Sequence, residues 1–204
     1  VFGLFEKKNL VGTFRMSTDA TATSDEIGLK ILQYYHFRGL DPDRTSAVII
    51  ASVVPPAMYS LINAIRKYLR LRPLVVGTDV DPGMVNLYTN PREVGVDRLV
   101  NGVSAVARYG KPLIIVDIGT AITFDAIDQN GAYLGGAIFP GIKVAMEALF
   151  MKASKLPRVD IAATECAIGR TTVQSMQSGA VRGYVGALTG IIEDMKKELE
   201  GDVR

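Results

Sequence analysis

Hydrophobic and polar positions alternate along this chain in a way that predicts an α/β protein. Residues 1–5 and 10–16 are extended runs flanking the polar turn Glu6-Lys7-Lys8-Asn9, the pattern of a β-hairpin. Ser24 stands as an N-cap, and Ile27, Ile31 and Tyr34/Tyr35 recur at helical spacing to about Phe37. Residues 47–54 form a continuous apolar run rich in β-branched side chains, ended by Pro55-Pro56, and predict a buried strand. Met58, Leu61, Ile62, Ile65 and Leu69 mark an amphipathic helix, residues 74–76 a short strand, and Leu99, Val100, Val103 and Val106 a helix beginning near Asp97. Residues 113–116 are the most apolar strand. A hairpin of residues 123–127 and 132–138 follows, around Asp128-Gln129-Asn130-Gly131, where Asn-Gly is a strong turn signal. Pro140-Gly141 opens a helix to about Met151, and a last helix covers 171 to about 200, in one piece or two.

The order strand, loop, hairpin, helix over 113–151 has a partner at the start of the chain. Residues 1–5 align with 123–127, and Glu6-Lys7-Lys8-Asn9 then falls on the Asp128–Gly131 turn. The first copy lacks only the preceding strand and its Asp-x-Gly-Thr loop. A duplicated domain is therefore expected, divided as 1–110 and 111–204. Both ends read as cut: a strand ending in Asp-x-Gly is expected before Val1, and a strand after the last helix.

Composition narrows the function classes. Across 204 residues, 48% are apolar, 22% are charged and the net charge is +2, a balance that implies neither a nucleic-acid footprint nor a membrane-seeking surface. No apolar stretch is long enough to span a bilayer. The single cysteine, Cys166, excludes an internal disulfide framework, fits a reducing cytosol, and is expected to be a small buried hydrophobe. With one Cys and one His, a zinc site of soft ligands is excluded. His36 ends an aromatic-rich helix and reads as structural, so a Ser-His-Asp mechanism has no base to rest on.

Four segments carry candidate chemistry. Asp117-Ile118-Gly119-Thr120-Ala121-Ile122-Thr123 follows a buried strand. Its glycine, amides and hydroxyls suit a phosphate cradle and its aspartate a cation, or the segment is an ordinary turn. Gly95-Val96-Asp97-Arg98 opens a helix: the carboxylate can take a proton from an alcohol and the guanidinium can grip a carboxylate, or both are helix-start residues. Gly135-Gly136-Ala137-Ile138-Phe139-Pro140-Gly141 implies close approach of a ligand or another backbone. Gly169-Arg170-Thr171-Thr172 caps the final helix.

In this order and close to this spacing, Glu93-Val94-Gly95-Val96-Asp97-Arg98-Leu99-Val100-Asn101, Asp117–Thr123 and Gly135–Gly141 resemble the type III pantothenate kinases. Arg15-Met16-Ser17-Thr18, Ala51-Ser52-Val53-Val54-Pro55, Lys155-Leu156-Pro157 and Gly169-Arg170-Thr171-Thr172 look like further parts of that family, so the likeness runs through nearly the whole chain. The resemblance implies two ribonuclease H-like domains of the actin, Hsp70 and sugar-kinase type with mixed sheets, here without the N-terminal strand and the C-terminal segment. It implies a cytoplasmic, homodimeric enzyme that phosphorylates pantothenate with ATP and Mg²⁺, the first step of coenzyme A biosynthesis. By that likeness Asp97 is the catalytic base, and Tyr88, Gly95, Val96, Asp97, Arg98 and Thr172 are substrate-binding. Gly119, Thr120 and Thr123 meet the nucleotide, and Asp117 binds a monovalent cation, K⁺ or NH₄⁺. The family's first phosphate loop, Asp-x-Gly-Asn-Thr, and its Gly-Gly adenosine segment fall outside these residues, and no ATP contact is carried over from them.

Two other readings stay open on the residues alone: a non-catalytic regulatory accessory factor of the same fold, and another actin-like phosphatase or sugar kinase. Retention of Asp97, Arg98 and Asp117 speaks against the first, and Gly95-Val96-Asp97-Arg98 against the second. Finally, Ser175, Gly179, Gly183, Gly186 and Gly190 line one face of the last helix. Each helix-interior glycine costs roughly 0.5–1 kcal/mol, so a compensating contact is expected, either within the chain or at a subunit interface.

Overall fold

The structure, a computed structural model, describes residues 1–204 and is α/β, with two two-stranded sheets, one three-stranded sheet and five α-helices. The chain divides into two compact units: Val1–Pro82 with Gly95–Asp97, and Gly83–Val94 with Arg98–Arg204.

In the first unit, β1 (Phe2–Glu6) and β2 (Asn9–Phe14) pair antiparallel, and the cross-strand pair Phe2 and Phe14 stacks at 4.5 Å between ring centroids. Phe14 in turn stacks on Tyr34 of α1 (Ser24–Phe37). The cap of α1 is Thr23, not Ser24. Its hydroxyl accepts from the Glu26 amide while the Glu26 carboxylate accepts from the Thr23 amide. This reciprocal pair needs a glutamate three residues on, which Ser24 lacks. Ile27, Ile31 and Tyr35 of α1 close a core with Ala64 of α2 (Pro55–Tyr68).

The expected strand over 47–54 shrinks to β3, Ile49–Ile50, paired parallel with β4, Leu74–Val75. A strand extends only as far as its ladder. Here the partner is two residues long, and Ile49 is exposed while Ile50 is buried.

The second unit is built on the antiparallel sheet β5-β6-β7: Leu113–Ile118, Ala121–Ile127 and Tyr133–Pro140. β5 runs two residues beyond the expected 113–116, so Asp117 lies inside the ladder opposite Thr123, and Gly119-Thr120 alone makes the turn. Asp128 shapes the next turn, accepting from the amides of Asn130 (2.8 Å) and Ala132 (2.7 Å). From Arg98 onward α3 (Val96–Tyr109) packs on this sheet, its Leu99 joining Val94, Leu113, Ile127 and Tyr133 in the core. A smaller cluster of Met146, Met176 and Ala180 joins α4 (Ile142–Lys152) to α5 (Thr172–Glu198).

α5 is one unbroken helix. Its inner face is Met176, Ala180 and Tyr184: the Tyr184 ring meets Phe139 edge-on and its hydroxyl donates to the Pro140 carbonyl at 3.0 Å. The glycine face lies beside it. A side-chain carbon built at Gly179, Gly183, Gly186 or Gly190 meets nothing within 4 Å, so packing within this chain does not account for the stripe. Cys166 is exposed, contrary to its expected burial. It lies in the segment between α4 and α5 that follows the surface, pinned by Arg182 to the carbonyls of Thr164 and Glu165. No helix is long and apolar enough to cross a membrane.

Candidate functional site

The first turn of α3 carries the densest set of candidate residues. Asp97 is exposed, and its carboxylate folds back over Gly95: a side-chain carbon there would lie 2.4 Å from Asp97 Oδ1 and 3.1 Å from Val53. Any larger residue at 95 would push the carboxylate aside. An acidic group in the first turn is also favoured by the helix dipole.

Arg98 is held differently. Its Nε donates to Asp125 Oδ1 at 2.6 Å, its Nη2 donates to the Phe124 carbonyl at 3.3 Å, and its guanidinium lies 5.6 Å from the Tyr133 ring centroid. Asp125 is fully buried in β6 among Ile122, Phe124, Ala126 and Ile127. It also accepts from the Tyr133 hydroxyl at 2.9 Å and, more weakly, from Thr123 Oγ1 at 3.4 Å. Burial, then the adjacent Asp125 charge and hydrogen bond, hold the Tyr133 hydroxyl well above the ordinary phenol range, so it stays a donor.

The two central glycines of β7 seat the neighbouring side chains. Gly136 lies opposite Asp125 in the ladder, and a side-chain carbon there would fall 1.6 Å from the Phe124 carbonyl oxygen and 3.2 Å from Arg98 Nη2. Gly135, at φ +136°, leaves room for the Tyr88 ring, which a side chain would meet at 3.3 Å. The segment bearing Tyr88 is tied alongside by Tyr133, whose amide donates to Val85 and whose carbonyl accepts from Leu87. β7 thus lies beside Tyr88 at Gly135 and beside Arg98 at Gly136 and Tyr133.

The Asp-x-Gly-Thr segment has its own architecture. Asp117 is exposed near the end of β5 and accepts from Asn101 Nδ2 of α3 at 3.4 Å. The Gly119-Thr120 turn is locked to the start of α4, because the Gly141 amide donates to the Thr120 carbonyl at 2.9 Å. A side chain at Gly141 would strike the carbonyl oxygens of Gly119 and Thr120 at 2.3 and 2.4 Å. α4 begins with no side-chain cap, so its first amides lie beside the Thr120 turn, an arrangement that favours an anion. Thr123 lies two residues before Asp125 in β6 and donates to it at 3.4 Å, and Thr172 opens α5 just after its cap, Thr171. No group of three or more His, Cys, Asp or Glu side chains converges to hold a metal ion.

Comparison with known proteins decides what this arrangement belongs to. The family model for type III pantothenate kinase matches residues 1–194. A type III pantothenate kinase of Myxococcus xanthus (strain DK1622) is 50% identical over 199 residues, 98% of this chain and 78% of that protein. Type III pantothenate kinases of Listeria welshimeri and Listeria monocytogenes are 48% and 47% identical over 196 residues, each match covering 96% of this chain and 76% of the relative.

The chain belongs to the type III pantothenate kinase family.

Asp125 and Tyr133, which surround the Arg98 guanidinium, are the residues of this cluster that the sequence reading missed. A signal was present: a lone carboxylate in the apolar strand Ile122-Thr123-Phe124-Asp125-Ala126-Ile127 must find a cationic or hydroxyl partner to be buried.

Proposed function

We propose that the protein transfers the terminal phosphoryl group of ATP to the hydroxyl of pantothenate, giving 4'-phosphopantothenate, the entry reaction of coenzyme A biosynthesis. Beside family membership, one observation carries this reading. The first turn of α3 presents an exposed carboxylate, Asp97, followed at once by a guanidinium, Arg98, that a buried carboxylate holds in place.

Phosphoryl transfer depends on positioning and charge neutralisation more than on covalent chemistry. In this reading Asp97 accepts the proton of the pantothenate hydroxyl as it attacks. Arg98 holds the substrate carboxylate through its planar fork, with Gly95 and Val96 forming the adjoining backbone and Tyr88 and Thr172 contributing further contacts. Gly119, Thr120 and Thr123 meet the nucleotide phosphates, which the uncapped start of α4 beside the Thr120 turn supports. Mg²⁺ supplies charge neutralisation on those phosphates. Asp117, a single exposed carboxylate beside the neutral Asn101 amide, suits a singly charged ion, K⁺ or NH₄⁺.

We also infer the duplicated architecture, two ribonuclease H-like domains over 1–110 and 111–204. It is supported by the recurrence of an antiparallel hairpin followed by a helix, β1-β2-α1 and β6-β7-α4. A cytoplasmic setting is in keeping with a free, exposed thiol at Cys166.

The activity is tested on the complete protein. With Mg²⁺-ATP, pantothenate should trigger ADP release, and mass spectrometry should find 4'-phosphopantothenate. Turnover should be high in potassium or ammonium buffer and largely lost in sodium alone. Absence of the product would refute the function, and equal rates in sodium and potassium would refute the cation at Asp117.

The open glycine face of α5 supports a homodimer with the helix at or next to the two-fold interface. Gly183→Leu should then weaken dimerisation and activity together in sedimentation and rate measurements. An intact dimer of unchanged activity would remove α5 from the interface.

A further inference from the structure

A carboxylate with no exposed surface, set in an apolar strand, must have its charge compensated locally. Asp125 has its compensation from three side chains: Arg98 Nε at 2.6 Å, the Tyr133 hydroxyl at 2.9 Å and Thr123 Oγ1 at 3.4 Å. Such a buried ion pair contributes little net stability over apolar residues of the same volume, so stability alone is a poor account of its presence. What it does supply is direction. A guanidinium is planar, and two of its N–H groups are committed to β6, Nε to the Asp125 carboxylate and Nη2 to the Phe124 carbonyl. Two fixed points leave the fork only rotation about the line that joins them. Tyr133 restrains the same group from a second side, with its hydroxyl on the shared Oδ1 and its ring 5.6 Å from the guanidinium carbon. Opposite Asp125, the bare Gly136 leaves the guanidinium its space.

We propose that Asp125 and Tyr133 are positioning residues for pantothenate binding, a buried clamp that holds the Arg98 guanidinium in the orientation that receives the substrate carboxylate. The proposal rests on the function argued above and adds two residues that touch Arg98 and act through it. Asp125→Asn keeps the shape but removes the charge that draws in Arg98 Nε; Tyr133→Phe removes one hydroxyl and nothing else.

Initial rates of the complete protein, with pantothenate and ATP varied separately, test the clamp. Losing a charge-assisted partner should raise KM for pantothenate about tenfold or more in Asp125→Asn, and losing one neutral donor about threefold in Tyr133→Phe. KM for ATP should stay within about twofold, since of the residues assigned to the nucleotide the clamp meets only Thr123, through a weak contact of 3.4 Å. In an Arg98→Ala background, Asp125→Asn should change kcat/KM for pantothenate by less than about twofold, because the residue it acts through is gone. An unchanged pantothenate KM in both single variants overturns the clamp. So does a parallel rise in both KM values with a fall in melting temperature, which marks a purely structural pair, or a full effect of Asp125→Asn in the Arg98→Ala background. Should Asp125→Asn fail to fold, the near-isosteric Tyr133→Phe decides by the same pantothenate KM. Wild-type protein without pantothenate turnover overturns the function and the clamp together, whereas active wild type with indifferent variants overturns the clamp alone.

Discussion

Asp97→Asn in the complete protein is expected to cut pantothenate phosphorylation by a factor on the order of 10²–10⁴, the usual cost of losing a general base, with little change in stability. Asparagine has nearly the same shape and still suits the first turn of a helix, where losing the favourable charge–dipole interaction costs about 0.3–1 kcal/mol. Asp97 is exposed. The Gly95 backbone would still give the amide the room it gives the carboxylate. What disappears is the ability to accept a proton from the attacking alcohol. Rates from coupled ADP release, together with a melting curve, separate the two contributions. A variant within about twofold of wild type would make Asp97 a helix-start residue only, and the base would have to be sought elsewhere.

Arg98→Ala should damage both binding and the fold. Asp125 and Arg98 form the one ion pair in the molecule whose acidic partner is fully buried, the arginine being 15% exposed. Removing the guanidinium leaves the carboxylate in an apolar strand with only Tyr133 and Thr123 as donors, which typically costs about 3–5 kcal/mol. Denaturant titration should show that loss, and pantothenate affinity should fall with it. The charge, rather than the empty volume, is the cause. The double variant Arg98→Ala with Asp125→Asn should therefore recover a measurable part of the stability while remaining poor at binding pantothenate. Denaturation midpoints of Arg98→Ala close to wild type would show that Asp125 needs no cation. A double variant no more stable than the single one would trace the loss to packing.

Both predictions start from residues of different legibility. Asp97 and Arg98 stood out in the sequence because Gly95-Val96-Asp97-Arg98 joins a turn residue, a carboxylate and a guanidinium at a helix start. Asp125 did not, although it is the residue on which Arg98 depends. Within β6 it reads as one polar position in a strand, and only the pairing of β6 with β7 and the packing of α3 reveal that it is buried. Its partners come from 27 residues earlier and 8 residues later in the chain, separations that no local pattern reports.

Local physics settled much of the rest. The 3.6-residue recurrence of Ile27, Ile31 and Tyr35 determined α1, Asn130-Gly131 determined the β6-β7 turn, and Pro55-Pro56 determined where α2 begins, since each depends on backbone preferences within a few residues. Strand length was a different matter. Residues 47–54 have the β-branched composition of a long strand, yet only Ile49–Ile50 find a ladder, because a strand exists only where a partner's hydrogen-bonding groups lie alongside. Burial likewise escaped the sequence at Cys166, a residue type that is usually interior but here lies on a surface segment. The same holds for the glycine face of α5, whose sequence spacing fitted an inward or an outward face equally well. Its direction was decided by Met176, Ala180 and Tyr184, which turn a neighbouring face of the helix to the core. Helices, turns and the order of the chemical motifs were legible in the chain, because they follow from neighbours along it. Strand extent, the outward glycine face and the burial of Asp125 against Arg98 were not, because each depends on groups that only folding brings together.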